Sequence, residues 1–165
     1  MRSPSILRGS RDITVIRAFL ILTFVLVGCD HGFEPPDKPS TGMIRATVTY
    51  TGTWPSLSEV VDLRFVAMRF VPQDTADFLQ LNRMAISDRL NYGVDSETIV
   101  LTDVETGAFL YSGIAQQFTN DLLSWRPLGL YAENDGVFFV ISDDTVRLAV
   151  EVDFSVPPPF PPPPF

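Results

Sequence analysis

Ile44, Ala46, Val48 and Tyr50 are apolar, and Arg45, Thr47, Thr49 and Thr51 between and after them are polar. Val146, Leu148, Val150, Val152 and Phe154 repeat the alternation around Arg147, Ala149, Glu151 and Asp153. Successive side chains of a strand point to opposite faces, so a period of two marks a sheet with one buried face and one wet face. A helix built on either segment would spread its apolar residues around the whole axis. These two segments therefore commit the chain to an all-β fold.

The rest of the sequence follows the same rhythm. Strands are expected at Leu63–Val71, Glu97–Val104, Ala108–Phe118, Leu128–Ala132 and Val137–Ile141, separated by Gly, Pro, Asn and Asp turn signals. Leu63–Val71 is apolar on both faces, which predicts a central strand ended by Pro72. Thr75–Leu90 departs from the pattern. Its Phe78, Leu81, Met84 and Ala85 have helix-like spacing, with Asp74 or Thr75 available as a cap, and predict one short helical excursion. About seven strands without a βαβ rhythm predict an antiparallel β-sandwich, prealbumin-like or Ig-like. It is expected over residues 42–154, about 113 residues, enough to bury its own core.

The ends read differently. Arg2, Arg8, Arg11 and Arg17 precede the apolar run Ala18–Val27, which is followed by Gly28 and Cys29. A basic stretch before a short apolar one is the layout of a secretory signal peptide. Ten apolar residues fall well short of the ~20 that span a bilayer as a helix. Leu26-Val27-Gly28-Cys29 resembles the lipobox of bacterial lipoproteins. That resemblance implies cleavage between Gly28 and Cys29 after the Cys29 thiol has taken a diacylglyceryl group. It also implies a cell-envelope protein held at the membrane by acyl chains on Cys29, with the leaflet open. Two or three such chains give stable anchoring, whereas one gives only marginal binding.

Residues 29–41 then form a Pro- and Gly-rich tether that holds the sole His, His31, and the sole Lys, Lys38. Residues 155–165 form a second Pro-rich segment. Such a run favours polyproline II and cannot enter a central sheet. It is expected to be a stiff tail whose Phe160 and Phe165 fold back on the sandwich, in preference to a docking peptide for another protein.

Charge narrows the partners. The chain carries twelve basic and twenty acidic residues, net −8. Residues 1–28 hold four Arg and one Asp, so the chain from Cys29 onward has eight basic and nineteen acidic residues, net −11. Nucleic acid is excluded as a partner for want of a basic face. Anionic headgroups would repel this surface, which leaves membrane attachment to the acyl chains.

Two further segments carry a family resemblance. Gly42-Met43-Ile44-Arg45-Ala46-Thr47-Val48-Thr49-Tyr50-Thr51-Gly52 is similar to the first strand of transthyretin-like modules, among them the carboxypeptidase regulatory-like and Cna-B-type domains. Val104-Glu105-Thr106-Gly107-Ala108-Phe109-Leu110-Tyr111 is similar to a later strand of the same modules. The resemblance implies a seven-stranded sandwich used as a binding, spacer or stalk unit in exported bacterial proteins. It implies no catalytic residues.

The chemistry on offer is sparse. One Cys excludes an internal disulfide framework and any multi-Cys zinc site, and one His excludes a multi-His metal site. From Gly42 onward there is no His and no Cys, which excludes Ser-His-Asp and Cys-His catalysis. No phosphate loop or dinucleotide fingerprint occurs. Asp143-Asp144 and Glu133-x-Asp135-Gly136 are less dense than calcium loops and are expected to be turns. No metal and no cofactor is expected. Trp54, Trp125, Tyr92, Tyr111 and Tyr131 could line a sugar or peptide platform, though core packing is the preferred reading. Trp54 and Trp125 are the candidate ligand contacts, and Trp125-Arg126-Pro127 reads as an exposed loop. The expected function is a non-enzymatic, lipid-anchored binding or structural module with a protein partner in the envelope. The alternatives are a carrier for a carbohydrate or small apolar molecule in an uptake system and, more remotely, a carboxylate-dependent hydrolase.

Overall fold

The computed structural model describes residues 38–163. The signal and lipidation readings on Gly28 and Cys29, the His31 tether and the expectation for Phe165 lie outside the described residues. Among the described residues nine strands form, β1 (Thr41–Thr51), β2 (Asp62–Met68), β3 (Met84–Ile86), β4 (Ser96–Glu105), β5 (Gly107–Phe109), β6 (Tyr111–Gln117), β7 (Trp125–Leu130), β8 (Phe138–Val140) and β9 (Thr145–Asp153). One sheet has the order β4-β1-β9, the second β3-β2-β6-β7, and β5 pairs with β8 in a short ribbon. No helix among the described residues is long and apolar enough to cross a membrane.

The domain is an all-β sandwich, and alternation explains its core. Ile44, Ala46 and Val48 of β1 and Leu148, Val150 and Val152 of β9 pack with Leu63, Phe65 and Ala67 of β2 and Ile114 of β6. The intervening Arg45, Thr47 and Thr49 of β1 stay in water. Removing these aliphatic faces from water is the main force joining the sheets.

Four details differ from expectation. The strand expected at Ala108–Phe118 is split at Leu110, and β3 is an extra strand, so nine replace the seven foreseen. β1 and β9 run parallel, in register from Met43↔Thr145 to Thr51↔Asp153, within an otherwise antiparallel sandwich. A parallel pair needs a long connection; here the whole second sheet lies between the first and last strands in sequence.

The expected helix is a pair of 3-10 turns, Thr75–Leu79 and Leu81–Arg83, followed by β3. Asp74 caps the first turn, its carboxylate accepting from the Ala76 N–H at 2.9 Å. Phe78 is the one buried side chain of these turns, while Leu79 and Leu81 are exposed. Helical spacing without an apolar face to bury does not hold an α-helix. Finally, Trp125-Arg126-Pro127 is the start of β7 rather than a loop. Pro127 is tolerated because β7 lies at the edge of its sheet, where a missing N–H breaks no ladder.

Central strand β6 is buried on both faces along its whole length. Its outer face meets a second apolar cluster of Val66, Met68, Phe78, Tyr111 and Ala115, against which Trp125, Leu130 and Phe160 pack. Two segments cover this face: the 3-10 turn carrying Phe78 and the C-terminal tail carrying Phe160. Their rings lie 5.5 Å apart. Phe160 thus folds back on the sandwich as expected. Because Phe160 is only half-buried, Phe160→Ala should lower stability by about 1–2 kcal/mol, less than a fully buried Phe would cost. Urea unfolding of the two proteins side by side measures this.

Candidate functional site

The outer face of the second sheet carries a mainly apolar cleft of about 350 Å³. Its walls come from three places. The strands and their flanks supply Val71 after β2, Leu110 and Tyr111 at the start of β6, and Leu130 and Tyr131 at the end of β7; the 3-10 turn Glu133–Gly136 supplies Asp135 and Gly136, and the tail supplies Pro162 and Pro163. Each has a local reason to be there. Leu110 is fixed between β5 and β6 by its N–H donating to the Met68 carbonyl at 2.9 Å. The turn is tight because Asn134, Asp135 and Gly136 all adopt positive φ, which these residue types tolerate.

Polar groups in the cleft are few. Asp135 is exposed at its rim. Tyr131 Oη lies 3.4 Å from the Asn134 amide nitrogen. Tyr111 is 7% exposed, and its hydroxyl has no hydrogen-bond partner among the described residues. Ser112 adds to the wall, and its hydroxyl is also unpartnered among the described residues. Strand alternation turns the Ser112 side chain to the inner face shared with Ile114 and Gln116. A buried hydroxyl left without a partner costs about 1–3 kcal/mol.

Burial pushes the Tyr111 phenol above its ordinary range. Tyr50 is pushed the same way by burial, by donating a 2.7 Å hydrogen bond to Glu97 and by the Glu97 charge. In the fold both phenols keep their protons at pH values where the unfolded chain has lost them. Their contribution to stability is therefore full below the free phenol value of about 10 and is lost as pH rises past it. Alkaline difference spectra should show two phenols that ionise only when the domain unfolds, with the denaturation midpoint falling above pH ~10.

The two tryptophans lie in different surroundings. Trp54 is half-buried at one end of the main core, with ring centres 4.7 Å from Tyr50, 4.5 Å from Phe154 and 5.0 Å from Tyr92. Tyr92 in turn donates to the Pro55 carbonyl at 2.7 Å. Trp125 stacks at 6.4 Å on Phe78 in the outer cluster. The five aromatic candidates therefore divide. Trp54 and Tyr92 pack together, Trp125 packs with Phe78, and Tyr111 and Tyr131 line the cleft. The contribution of Pro162 and Pro163 had no local signal in the sequence; only the expectation that the tail folds back pointed toward it.

A second depression of about 330 Å³ lies beside β3 and β4 and is mainly polar. Its cation, Arg69, is already engaged. The guanidinium donates to the carbonyls of Glu105 at 2.8 Å and Thr106 at 3.2 Å and sits 4.7 Å from the Phe109 ring centre. Asp143, expected in a turn, has φ 57°. Among the described residues no three His, Cys, Asp or Glu side chains converge as a metal cluster would require.

No protein-family model matches the chain, and no curated protein matches it. Two solved structures share part of its shape. One is the pilus-presented adhesin Cpa, at 14% identity and TM-score 0.34, over 72% of this chain and 28% of that one. The other is a leucine-rich repeat protein from Bacteroides thetaiotaomicron, at 13% identity and TM-score 0.30, over 73% of this chain and 14% of that one. The chain spans less than a third of either protein's length.

Proposed function

We propose that this chain is a lipid-anchored protein of the bacterial cell envelope whose β-sandwich is a non-enzymatic binding module for a small apolar molecule. The observation that carries the binding half is the cleft. Its size falls in the range of small-molecule sites, and such sites are mostly apolar with a few polar groups that orient the ligand. The apolar lining favours a small hydrophobic molecule over a carbohydrate. The sandwich supplies a rigid frame, while one wall is a tail outside the sheets.

The anchoring half rests on the sequence. Cys29 is the sole cysteine, and it directly follows Gly28 after the ten-residue apolar run Ala18–Val27. Residues 30–40 would then connect the lipid to β1 with a reach of up to roughly 40 Å, at ~3.5 Å per extended residue. That length lets the acidic domain stand off a like-charged membrane.

Metabolic labelling with a fatty acid, followed by cell fractionation, tests the anchor. The wild-type chain should carry label and sediment with membranes, and Cys29→Ala should lose the label. A Cys29→Ala chain with undiminished label would overturn it. Titration of the full chain, held in lipid nanodiscs, with methylenecyclohexane tests the cleft. The methyl resonances of Val71, Leu110 and Leu130 should shift, with empty nanodiscs as the blank. Unmoved methyls would reject the cleft as the binding site.

A further inference from the structure

Tyr111 brings together three features of the cleft. It lines a mainly apolar cavity, it is more than nine-tenths buried, and its hydroxyl has no partner among the described residues. A satisfied core tyrosine places its hydroxyl on a carbonyl or carboxylate, as Tyr50 does on Glu97. Tyr111 does not; of its neighbours in the outer cluster, Val66, Phe78 and Ala115 have hydrocarbon side chains with no acceptor to offer, and Met68 has only a weakly accepting thioether sulfur.

We propose that the cleft takes an uncharged, mainly apolar molecule with one hydrogen-bond acceptor, such as a ketone or ester carbonyl, and that the Tyr111 hydroxyl donates to it. The inference rests on the binding reading above and names the chemistry of the ligand. Size limits it further. At the ~30 Å³ that a water occupies in the liquid, a 350 Å³ cleft has room for about a dozen non-hydrogen atoms. Charge limits it too. A net charge of −11 from Cys29 onward and the Asp135 carboxylate at the rim disfavour an anion. The cleft residues include no Lys or Arg to receive one.

The hydroxyl is sealed from solvent, so a ligand reaches it only where a wall yields. β6 and β7 are tied by their ladder from Gly113↔Leu130 to Gln117↔Trp125. The tail is held less firmly. Among the described residues its last backbone hydrogen bond is Val156 to Asp153, and residues 157–163 make none. In the proposal the yielding wall is Pro162 and Pro163, which lie beyond Phe160 and outside both sheets. Proline has no N–H to offer the ligand, so the tail encloses it and Tyr111 selects it.

Two pairs of isosteres test this on the full chain in nanodiscs. Acetophenone is compared with alpha-methylstyrene, and cyclohexanone with methylenecyclohexane; each pair differs by exchanging a carbonyl oxygen for a methylene. The wild-type chain should bind each ketone about threefold to tenfold more tightly than its hydrocarbon partner, the worth of one net hydrogen bond. Tyr111→Phe should abolish or reverse each preference, because a ketone oxygen beside Phe is buried without a donor, while the cleft methyls still shift. The variant removes an unpartnered hydroxyl, so its fold should be unharmed, and its urea midpoint serves as the check. Equal affinities in the wild type, or a ketone preference that survives Tyr111→Phe, would overturn the role of Tyr111 and leave the cleft as a binding site. If neither member of either pair moves the cleft methyls, the binding reading fails and this inference fails with it.

Discussion

Gly113→Ala should destabilise the domain by about 3 kcal/mol, the upper end for overpacking, because the obstruction is backbone rather than a side chain that can turn away. A Cβ at Gly113 would collide with the Gly129 carbonyl oxygen and press on the Leu130 Cα at 2.9 Å. Gly129→Ala should behave alike, since its Cβ would strike the Glu151 carbonyl oxygen and meet Val152 at 2.8 Å. These two glycines sit where β6, β7 and β9 come closest. The register of β6 and β7 shifts there, from Ile114↔Gly129 to Ala115↔Pro127, so Leu128 is the extra residue of a β-bulge. The bulge brings β7 against β9 and closes that side of the sandwich. Gly93→Ala is the control, with φ +77° but nothing within 4 Å of its Cβ. It should lose only about 1 kcal/mol, the cost of a left-handed backbone in a residue with a side chain. Urea midpoints for the three variants decide the matter. If Gly113→Ala is no worse than Gly93→Ala, the close approach is not a constraint on the fold.

Those glycines also mark where reading the sequence stops. β1 and β9 were legible because each buries one face, and a half-buried strand writes a period of two. β2 was legible as central because Val66 and Met68 face the outer cluster while Leu63, Phe65 and Ala67 face the main core. In sequence β5 and β6 read as one strand, since Leu110 between them continues the apolar run. Trp125 reads as a loop residue in sequence because Pro127 signals a loop unless the strand is known to lie at an edge, which is a property of the whole sheet. The parallel pairing of β1 with β9 depends on the same kind of non-local fact. The cleft was least legible. Tyr111 was in view only as an aromatic, and what singles it out is a missing partner, which no sequence pattern expresses. Its tail wall comes from residues 162 and 163, about fifty positions away in the chain.

Phe109→Ala should cost about 3–5 kcal/mol, the range for emptying a buried phenylalanine site. Against a typical domain stability of about 5–15 kcal/mol, that removes roughly a fifth of the margin at the least. Phe109 is 1% exposed, stacks on Phe138 at 5.1 Å and an interplanar angle of 8°, and carries the Arg69 guanidinium over its ring. The pair holds β5 against β8, where Gly107, Ala108 and Phe109 face Val140, Phe139 and Phe138. One residue beyond Phe109 is Leu110 and the next is Tyr111, both in the cleft. β8, for its part, follows the Glu133–Gly136 turn that forms the opposite wall. A cavity at Phe109 therefore loosens two cleft walls at once, whereas Phe160→Ala loosens only the tail. Ligand affinity should fall in Phe109→Ala at urea concentrations where the main core of β1, β2 and β9 is still protected from hydrogen exchange. Phe109→Leu, which keeps much of the volume, should cost less than about 1.5 kcal/mol and retain binding. If Phe109→Ala loses core protection and ligand affinity at the same urea concentration, the ribbon is part of one cooperative unit and not a separate support for the cleft.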